Sequence, residues 1–304
     1  MNFHGPAKET FFNNPIVVLP RYFSNKNRIQ MPTIFPKKLI QPTNSFHYGE
    51  DSLLLASFAL SVEGKRYRSS VNSPAFWLDL GTGCGIVGIA ALLLARSKKR
   101  EIPFCLGLDC DRDLIDAAIQ NAGALGLSSC FTARIAEFAD SSWSETVRII
   151  RARHGRANLV VSNPPWRLTN SGRASREPSR RRALFGDTDT ISSFVAAAAS
   201  LLDPQGLFCC SVGASRLPDL LMTLRDRRFN PIRLLCVHPF DNRPAAWTFV
   251  AARRTGNTPL CVEAPLVLRE HDGRYRTAAL EFCPILSESV PEPSSDSEHI
   301  SSPL

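Results

Sequence analysis

The fold of this chain is decided by the stretch Phe76-Trp77-Leu78-Asp79-Leu80-Gly81-Thr82-Gly83-Cys84-Gly85-Ile86. The apolar run before the glycines predicts a buried strand, and the Ala/Leu-rich run from Ile86 to Ala95 predicts a buried helix. A second apolar run, from Phe104 to Leu108, predicts a strand that ends at Asp109. A strand, a glycine turn, a helix and a strand with a terminal carboxylate indicate a nucleoside-cofactor site at the carboxyl edge of a parallel sheet.

The glycine loop is the expected cofactor-binding element. Gly81, Gly83 and Gly85 allow a sharp turn and a close approach of the backbone to a ligand. The following helix offers free N–H groups and positive partial charge at its N-terminus, and Asp109 can accept hydrogen bonds from two ribose hydroxyls. The run from Gly83 to Gly88 also fits the dinucleotide fingerprint G-x-G-x-x-G, so an NAD enzyme stays open on this loop alone.

A second motif, Ser162-Asn163-Pro164-Pro165-Trp166, follows another apolar run, Leu159 to Val161. The Asn163 side-chain oxygen and the Pro164 carbonyl are two neighbouring acceptors that suit the two N–H bonds of an amide-type NH2. Two prolines stiffen such a turn, and Trp166 offers a flat face on which a base can stack. The alternative is an ordinary Asn-Pro turn after a strand.

Together with Asp79, which stands two residues before the first glycine in a D-x-G-x-G-x-G pattern, these motifs resemble those of class I S-adenosylmethionine-dependent methyltransferases of the N-P-P-[YFW] group. The resemblance is greatest to the bacterial tRNA1(Val) adenine-37 N6-methyltransferase family, and it covers about Phe46 to Phe282. Its supporting segments are Gly49-Glu50-Asp51-Ser52-Leu53-Leu54-Leu55-Ala56, Asn121-Ala122, Leu266-Val267-Leu268-Arg269, Tyr275 and Ala278-Ala279-Leu280.

The resemblance implies an α/β, Rossmann-like class I methyltransferase fold: a seven-stranded, mostly parallel sheet with an antiparallel last strand and helices on both faces. It implies S-adenosylmethionine as cofactor and the N6 amine of an adenine in RNA, with tRNA favoured, as methyl acceptor. The catalytic residues would be Asn163, Pro164, Pro165 and Trp166, and the cofactor-binding residues Gly49, Asp51, Asp79, Gly81, Gly83, Gly85, Asp109 and Asn163.

Two of these roles are open on the sequence. Asp79 would orient either the glycine loop or the amino group of the cofactor. Gly49 and Asp51 would line the methionine end of the pocket, but Asp51 is equally compatible with a simple helix cap.

One position departs from the family pattern. Family members carry an acid after the third strand that holds the adenine amino group of the cofactor, and the corresponding place here is assigned to Arg134. Glu137 or Asp140 would serve instead, or the backbone alone would hold the adenine.

The charge distribution favours a polyanionic partner. The net charge is +8, and a basic surface is the electrostatic footprint of nucleic-acid binding. Six arginines and a single acid lie between Arg167 and Arg182. We expect these arginines to contact RNA: Arg167, Arg173, Arg176, Arg180, Arg181 and Arg182. The alternative is a solvated loop without a specific partner.

Three segments are predicted: a basic, Pro-rich N-terminal arm over 1–45, a methyltransferase domain over 46–284 and an acidic, disordered tail over 285–304. No apolar run approaches the roughly 18 residues of a membrane span. The nine cysteines show no C-x-x-C spacing, which argues against a structural zinc and for a reducing compartment. We therefore expect a cytoplasmic monomer that binds neither metal nor membrane.

Competing functions are a protein-glutamine N5-methyltransferase of the release-factor type, because glutamine presents the same kind of NH2, and a non-catalytic RNA-binding module on the same fold. The first has a helical N-terminal domain, for which residues 1–45 are too short and too rich in proline. A DNA adenine methyltransferase would need a target-recognition domain, and an NAD dehydrogenase a proton-relay residue. Neither is evident in the sequence.

Overall fold

The computed structural model describes residues 39–42, 45, 48–63, 75–165 and 188–288, all within the unit Met31–Leu304. Its helices are α1 (Glu50–Glu63), α2 (Ile86–Ser97), α3 (Arg112–Ala124), α4 (Trp143–His154), α5 (Thr188–Leu201), α6 (Leu217–Asp226) and α7 (Thr277–Phe282). Its strands are β1 (Phe76–Leu80), β2 (Phe104–Asp109), β3 (Phe131–Ile135), β4 (Ala157–Ser162), β5 (Leu202–Gly213), β6 (Asn230–His238), β7 (Trp247–Arg253), β8 (Cys261–Val262) and β9 (Leu266–Val267).

The strands form one mixed sheet in the order β3-β2-β1-β4-β5-β7-β6-β8, with β9 also paired to β6. Strands β1 to β5 are parallel to one another, and β7 lies antiparallel between β5 and β6. The predicted α/β architecture and the antiparallel β7 are therefore confirmed. The strand order changes direction at β1: β2 and β3 lie on one side of it, and β4 and β5 lie on the other. The carboxyl ends of β1, β2 and β4 are therefore adjacent at one edge of the sheet.

The predicted strand count of seven is wrong, because the described part of the sheet has nine strands. The two additional strands, β8 and β9, have two residues each and pair in parallel with β6. Both lie in the segment Cys261 to Arg269. Pro265 stands between them and has no N–H for the ladder, so the segment pairs in two short pieces.

Helices cover both faces of the sheet, as predicted. On one face α1, α2 and α3 bury an apolar core against side chains such as Trp77, Leu159 and Phe249. On the other face α4, α5 and α6 pack on the alternate side chains, such as Leu78, Val160 and Phe208. This alternation follows from the two-residue period of a strand.

Strand β5 begins earlier than the sequence indicates. The turn-forming run Asp203-Pro204-Gln205-Gly206 predicts a strand from Leu207, but the strand starts at Leu202 and shifts register against β4. A Cβ at Gly206 would lie 2.9 Å from the Ala157 carbonyl oxygen. The glycine therefore lets two backbones approach closely, which local turn chemistry does not reveal.

Among the helices that the structure describes, none is long and apolar enough to cross a membrane.

Candidate active site

The glycine loop joins β1 to α2 and is attached to the end of β2. The N–H groups of Gly81 and Thr82 both donate to the Leu108 carbonyl, at 2.8 and 3.0 Å. Gly81 has a φ of +69°, and a Cβ there would lie 2.7 Å from the ring of Phe194. A larger residue would therefore be strained both by its backbone and by its contacts.

Asp79 lies beneath the loop and is completely buried. Its Oδ2 accepts hydrogen bonds from the Thr82 hydroxyl at 2.8 Å and from the Gly88 N–H at 2.9 Å. Gly88 is the third residue of α2, whose N-cap, Gly85, has no side chain to satisfy the free N–H groups. Asp79 thus takes the role of a helix cap from outside the helix. These contacts fit the loop-orienting role, and a direct contact with a cofactor stays a prediction.

Burial raises the pKa of Asp79 to about 6, although the hydrogen bonds from Thr82 and Gly88 act in the opposite direction. The negative charge of nearby Asp109 raises this pKa further. Within the described part of the chain, the second carboxylate oxygen of Asp79 is buried without a hydrogen-bond partner. An ionised Asp79 is therefore held at an energetic cost in the interior.

Asp109 ends β2 and faces the same loop. Its Oδ2 accepts a hydrogen bond from the Gly83 N–H at 2.9 Å, and its Oδ1 accepts one from the Asp111 N–H at 3.1 Å. Burial raises the pKa of the Asp109 carboxyl, and these two N–H groups lower it. Each oxygen of an ionised carboxylate can accept further bonds, so Asp109 retains acceptor capacity for ribose hydroxyls.

The side-chain amide of Asn163 is held by three side chains at the end of β4. Its Nδ2 donates to Asp51 Oδ2 at 2.9 Å and to Ser52 Oγ at 3.1 Å. Its Oδ1 accepts a hydrogen bond from the Ser211 hydroxyl on β5. Since both amide N–H bonds are used by α1, the orientation of the amide is defined, and the oxygen keeps one lone pair for a further donor.

These contacts define the place of Asp51, for which the sequence leaves two roles open. Asp51 is buried in the first turn of α1, and its carboxylate reaches across to Asn163, 112 residues away in sequence. A Cβ at Gly49 would lie 2.6 Å from Asp51 Oδ1, so Gly49 leaves room for this carboxylate. Asp51 is thus more than a helix cap, and its contact with the methionine end of a cofactor stays a prediction.

Asn121 connects α3 to two other segments beside the loop. Its Nδ2 donates to the carbonyls of Ile40 and Cys84, both at 3.0 Å, and its Oδ1 accepts the Ile40 N–H at 2.7 Å. Leu39 is buried in the core on the same face of the sheet. Residues 39–42, which the sequence assigns to the N-terminal arm, therefore lie against the domain near the glycine loop.

Arg134, which stands where the family carries an acid, lies near the end of β3. Arg134 is exposed, and its pKa is lowered by partial burial and by the charge of Arg153 on α4. Asp140 accepts the Ser142 N–H at 2.7 Å, just before α4. Glu137 is exposed directly after Ala136, whose N–H donates to the Asp109 carbonyl at 2.8 Å. Of the two acids that could hold the adenine amino group, Glu137 is therefore closer in sequence than Asp140 to Ala136, which contacts Asp109.

The described residues end at Pro165 before the Arg-rich segment. Trp166 and all six arginines of the predicted RNA contact lie outside them, in 166–187. The N-terminal arm before Leu39 and the tail after Glu288 also lie outside. Pro164 is buried and Pro165 half-buried directly after Asn163.

Several supporting residues of the site escape prediction from the sequence. Ser52 and Ser211 hold the Asn163 amide, and Thr82 bonds Asp79. Ser211 lies in the apolar part of β5 and Ser52 in the first turn of α1, and in both places the signal is a buried polar residue within an apolar run. Because buried hydroxyls almost always have a hydrogen-bond partner, this signal is usable once the neighbouring elements are known.

Comparison with solved structures identifies the architecture. A predicted O-methyltransferase from Agrobacterium tumefaciens superposes with a TM-score of 0.54 at 15% identity, over 77% of this chain and 95% of that one. The chain has the fold of class I methyltransferases. In this methyltransferase fold Asp79, Asp109 and Asn163 lie at the carboxyl ends of three adjacent strands, β1, β2 and β4, where ligands of open α/β sheets bind.

Sequence relatives point to the same class. The chain is 24% identical over 239 residues to the tRNA1(Val) (adenine(37)-N6)-methyltransferase of Proteus mirabilis, covering 75% of this chain and 82% of the relative. It is 27% identical over 233 residues to the protein of that name from Pectobacterium carotovorum, covering 76% and 82%. The release factor glutamine methyltransferase of Rhodospirillum rubrum is 33% identical over 151 residues, but only 47% of this chain and 41% of that protein are covered. No family model matches the sequence.

Proposed function

We propose that this methyltransferase transfers a methyl group from S-adenosylmethionine to the N6 amine of an adenine in RNA, with tRNA as the favoured substrate. The observation that carries the proposal is the Asn163 amide, oriented by Asp51, Ser52 and Ser211 at the end of β4. The names of the relatives that cover most of the chain support the same reaction.

The residues at the carboxyl edge fit the cofactor. A Cβ at Gly83 would meet nothing within 4 Å, so the loop borders open space on that side. Asp109 stands beside this glycine with acceptor capacity left, which suits two ribose hydroxyls. We assign the adenine amino group to Glu137, which is exposed after β3. Gly81 and Gly85 would pass beneath the cofactor, and Gly49 and Asp51 would lie toward its methionine end.

The reaction needs the acceptor nitrogen to present its lone pair. The exocyclic amine of adenine is a poor nucleophile because its lone pair is delocalised into the ring. When Asn163 Oδ1 and the Pro164 carbonyl accept its two N–H bonds, the nitrogen is drawn toward tetrahedral geometry and its lone pair turns toward the methyl group. The cofactor supplies an activated methyl on a sulfonium, whereas the protein supplies alignment and electrostatics. Trp166 would stack on the target base.

We assign binding of the RNA backbone to the arginines of 167–182. They follow Trp166, the residue assigned to the target base, directly in the sequence. Arginine suits planar, bidentate contact with phosphate better than lysine. The monomeric state, the absence of a metal ion and the cytoplasmic location stay predictions.

A second function, N5-methylation of a protein glutamine, is favoured by the 33% identity to a release factor glutamine methyltransferase over the core segment. The two functions share the Asn-Pro-Pro turn and differ in the macromolecule that is bound. A test must therefore offer both substrates to the same preparation.

The decisive experiment compares the unaltered protein with Asn163→Ala, using labelled S-adenosylmethionine with total tRNA in one arm and a glutamine-containing release factor in the other. We expect N6-methyladenosine in the tRNA arm with the unaltered protein and none with Asn163→Ala. Asn242→Ala, which changes an exposed asparagine in the β6–β7 connection, is the matched control and should retain activity.

Two outcomes would contradict the proposal. Turnover of Asn163→Ala at the rate of the unaltered protein would exclude the amide mechanism. Methylation of the release factor but not of tRNA would establish the second function. Thermal midpoints and cofactor affinities of the three proteins show whether any loss of activity comes from unfolding.

A further inference from the structure

A charged cluster joins the C-terminal segment to the first residue of α1. Glu50 Oε1 accepts hydrogen bonds from Arg269 Nη2 and from the Tyr275 hydroxyl. Arg269 also donates to Tyr275 Oη at 3.0 Å and to the Gly273 carbonyl at 2.9 Å. Its guanidinium lies 4.2 Å from the centre of the Tyr275 ring. One carboxylate oxygen, one guanidinium and one phenol are therefore each bound to the other two.

The geometry of the cluster is more restrained than that of an ordinary surface ion pair. The side chains of Arg269 and Glu50 are only 26% and 23% exposed. An isolated exposed pair contributes little, partly because two long side chains must be ordered. Here several hydrogen bonds and a cation–π contact act on the same groups. The cost of ordering these side chains is therefore offset by several interactions and not by one ion pair alone.

The cluster lies directly next to the residues that hold the acceptor amide. Glu50 precedes Asp51 and Ser52, and both of these bind Asn163 Nδ2. Whatever sets the position of the first turn of α1 therefore also sets the position of the Asn163 amide. The other half of the cluster is fixed independently, because the Leu268 N–H donates to the His238 carbonyl at the end of β6.

Charge points to the same coupling. Glu50 and Asp51 are adjacent acids at one helix N-terminus, and the charge of Glu50 is among the causes that raise the pKa of Asp51, after the larger effect of burial. The positive charge of Arg269 offsets the negative charge of Glu50 through their ion pair. Asp51 is then better able to remain an ionised acceptor, which gives the Asn163 N–H a charge-assisted hydrogen bond.

We infer that Glu50, Arg269 and Tyr275 form a positioning cluster that fixes the first turn of α1 and, through Asp51 and Ser52, the orientation of the Asn163 amide. The inference rests on the proposed function and deepens it. It also gives a role to the segment around Arg269 and Tyr275, which lies beyond the central strands of the sheet and contributes none of the predicted site residues.

The test compares Arg269→Met with Arg276→Met in the full chain. Arg276 is a matched control, because it lies in the same segment, is 28% exposed and pairs with Asp241 and Glu270 instead of α1. Tyr275→Phe removes a single hydroxyl and is the variant least able to unfold the protein. The measurements are kcat and KM for tRNA methylation, the cofactor dissociation constant, the thermal midpoint, and the ¹⁵N–¹H signal of the Asn163 side-chain amide.

We expect Arg269→Met to lower kcat by about tenfold or more, since a misplacement of about 1 Å at a reacting centre can cost about 100-fold. Its cofactor dissociation constant should change by a smaller factor than kcat, because Asp51 is only one of several residues assigned to the cofactor. The Asn163 amide signal, identified by its loss in Asn163→Ala, should shift in Arg269→Met and in Tyr275→Phe and stay in place in Arg276→Met.

The inference is overturned if the Asn163 signal is unmoved in both Arg269→Met and Tyr275→Phe, or if Arg276→Met moves it equally. The signal is measured without any substrate. A protein that methylates no RNA would therefore contradict the proposed function while leaving the test of the cluster intact.

Discussion

The buried carboxylate of Asp79 makes a quantitative prediction about stability and pH. Its pKa is raised from 3.8 to about 6 in the folded protein, chiefly because the group is removed from water. The folded state therefore binds this proton more tightly than the unfolded state does. The stabilisation from the protonated form is fully present below pH 3.8 and is lost as the pH rises through about 6.

The perturbation that isolates this contribution is Asp79→Asn, which replaces the carboxyl by an amide that cannot ionise. The amide keeps an oxygen that can accept the hydrogen bonds of Thr82 and Gly88, so the loop retains its main contacts. A pKa rise of this size corresponds to about 3 kcal/mol. The free energy of unfolding of Asp79→Asn, relative to the unaltered protein, should accordingly rise by about 2 to 3 kcal/mol between about pH 4 and about pH 7.

Urea unfolding at several pH values, followed by tryptophan fluorescence, measures this difference. Burial also raises the pKa of Glu63, to about 7, but Glu63 is present in both proteins and cancels in the comparison. Glu63→Gln serves as a control that changes a different titrating group. Parallel stability curves for Asp79→Asn and the unaltered protein, or a difference that falls with pH, would refute the reasoning about Asp79.

Three further predictions concern ligands. Asp109→Ala should weaken binding of S-adenosylmethionine by about 1.5 to 3 kcal/mol, because ribose hydroxyls lose a charged acceptor; unchanged affinity by calorimetry would remove Asp109 from the site. Trp166→Ala should weaken RNA binding by about 1 to 3 kcal/mol if the ring stacks a base. A filter-binding titration measures this loss, and the affinity for the cofactor should stay the same. Neutralising Arg180, Arg181 and Arg182 together should flatten the salt dependence of RNA binding by about 0.7 to 0.9 in log K per log salt for each lost phosphate contact, and a wild-type slope would exclude this segment as the one that binds the RNA backbone.

Local patterns in the sequence predict the central part of the fold well. The apolar run Leu159 to Val161 forms the centre of strand β4, which extends from Ala157 to Ser162. The strand ends before Asn163-Pro164, because proline has no N–H for the ladder. The glycine loop is equally local, since the strand, the turn and the helix are consecutive. Strands β8 and β9 escape prediction because two-residue strands exist only through pairing with β6.

The site is predicted less completely than the fold, for a physical reason. Asp79, Asp109 and Asn163 are recognisable because each lies at or near the end of a strand, and strand ends of a parallel sheet meet. The hydrogen bond between Asp51 and Asn163 joins residues 112 positions apart, and no local periodicity records such a pair. The same holds for Ser211, a buried residue on β5 whose partner Asn163 is 48 positions away in sequence.

The restraint on the Asn163 amide has a consequence for the chemical durability of the protein. Asparagine residues age by deamidation when the N–H of the following residue, once deprotonated, attacks the side-chain carbonyl carbon. The following residue here is Pro164, which has no N–H, so this route is closed at Asn163. The amide nitrogen is also bound to Asp51 and Ser52, which restrains it from attacking the backbone carbonyl. The residue on which the proposed chemistry depends should therefore outlast the exposed asparagines of the same chain during prolonged incubation at physiological temperature.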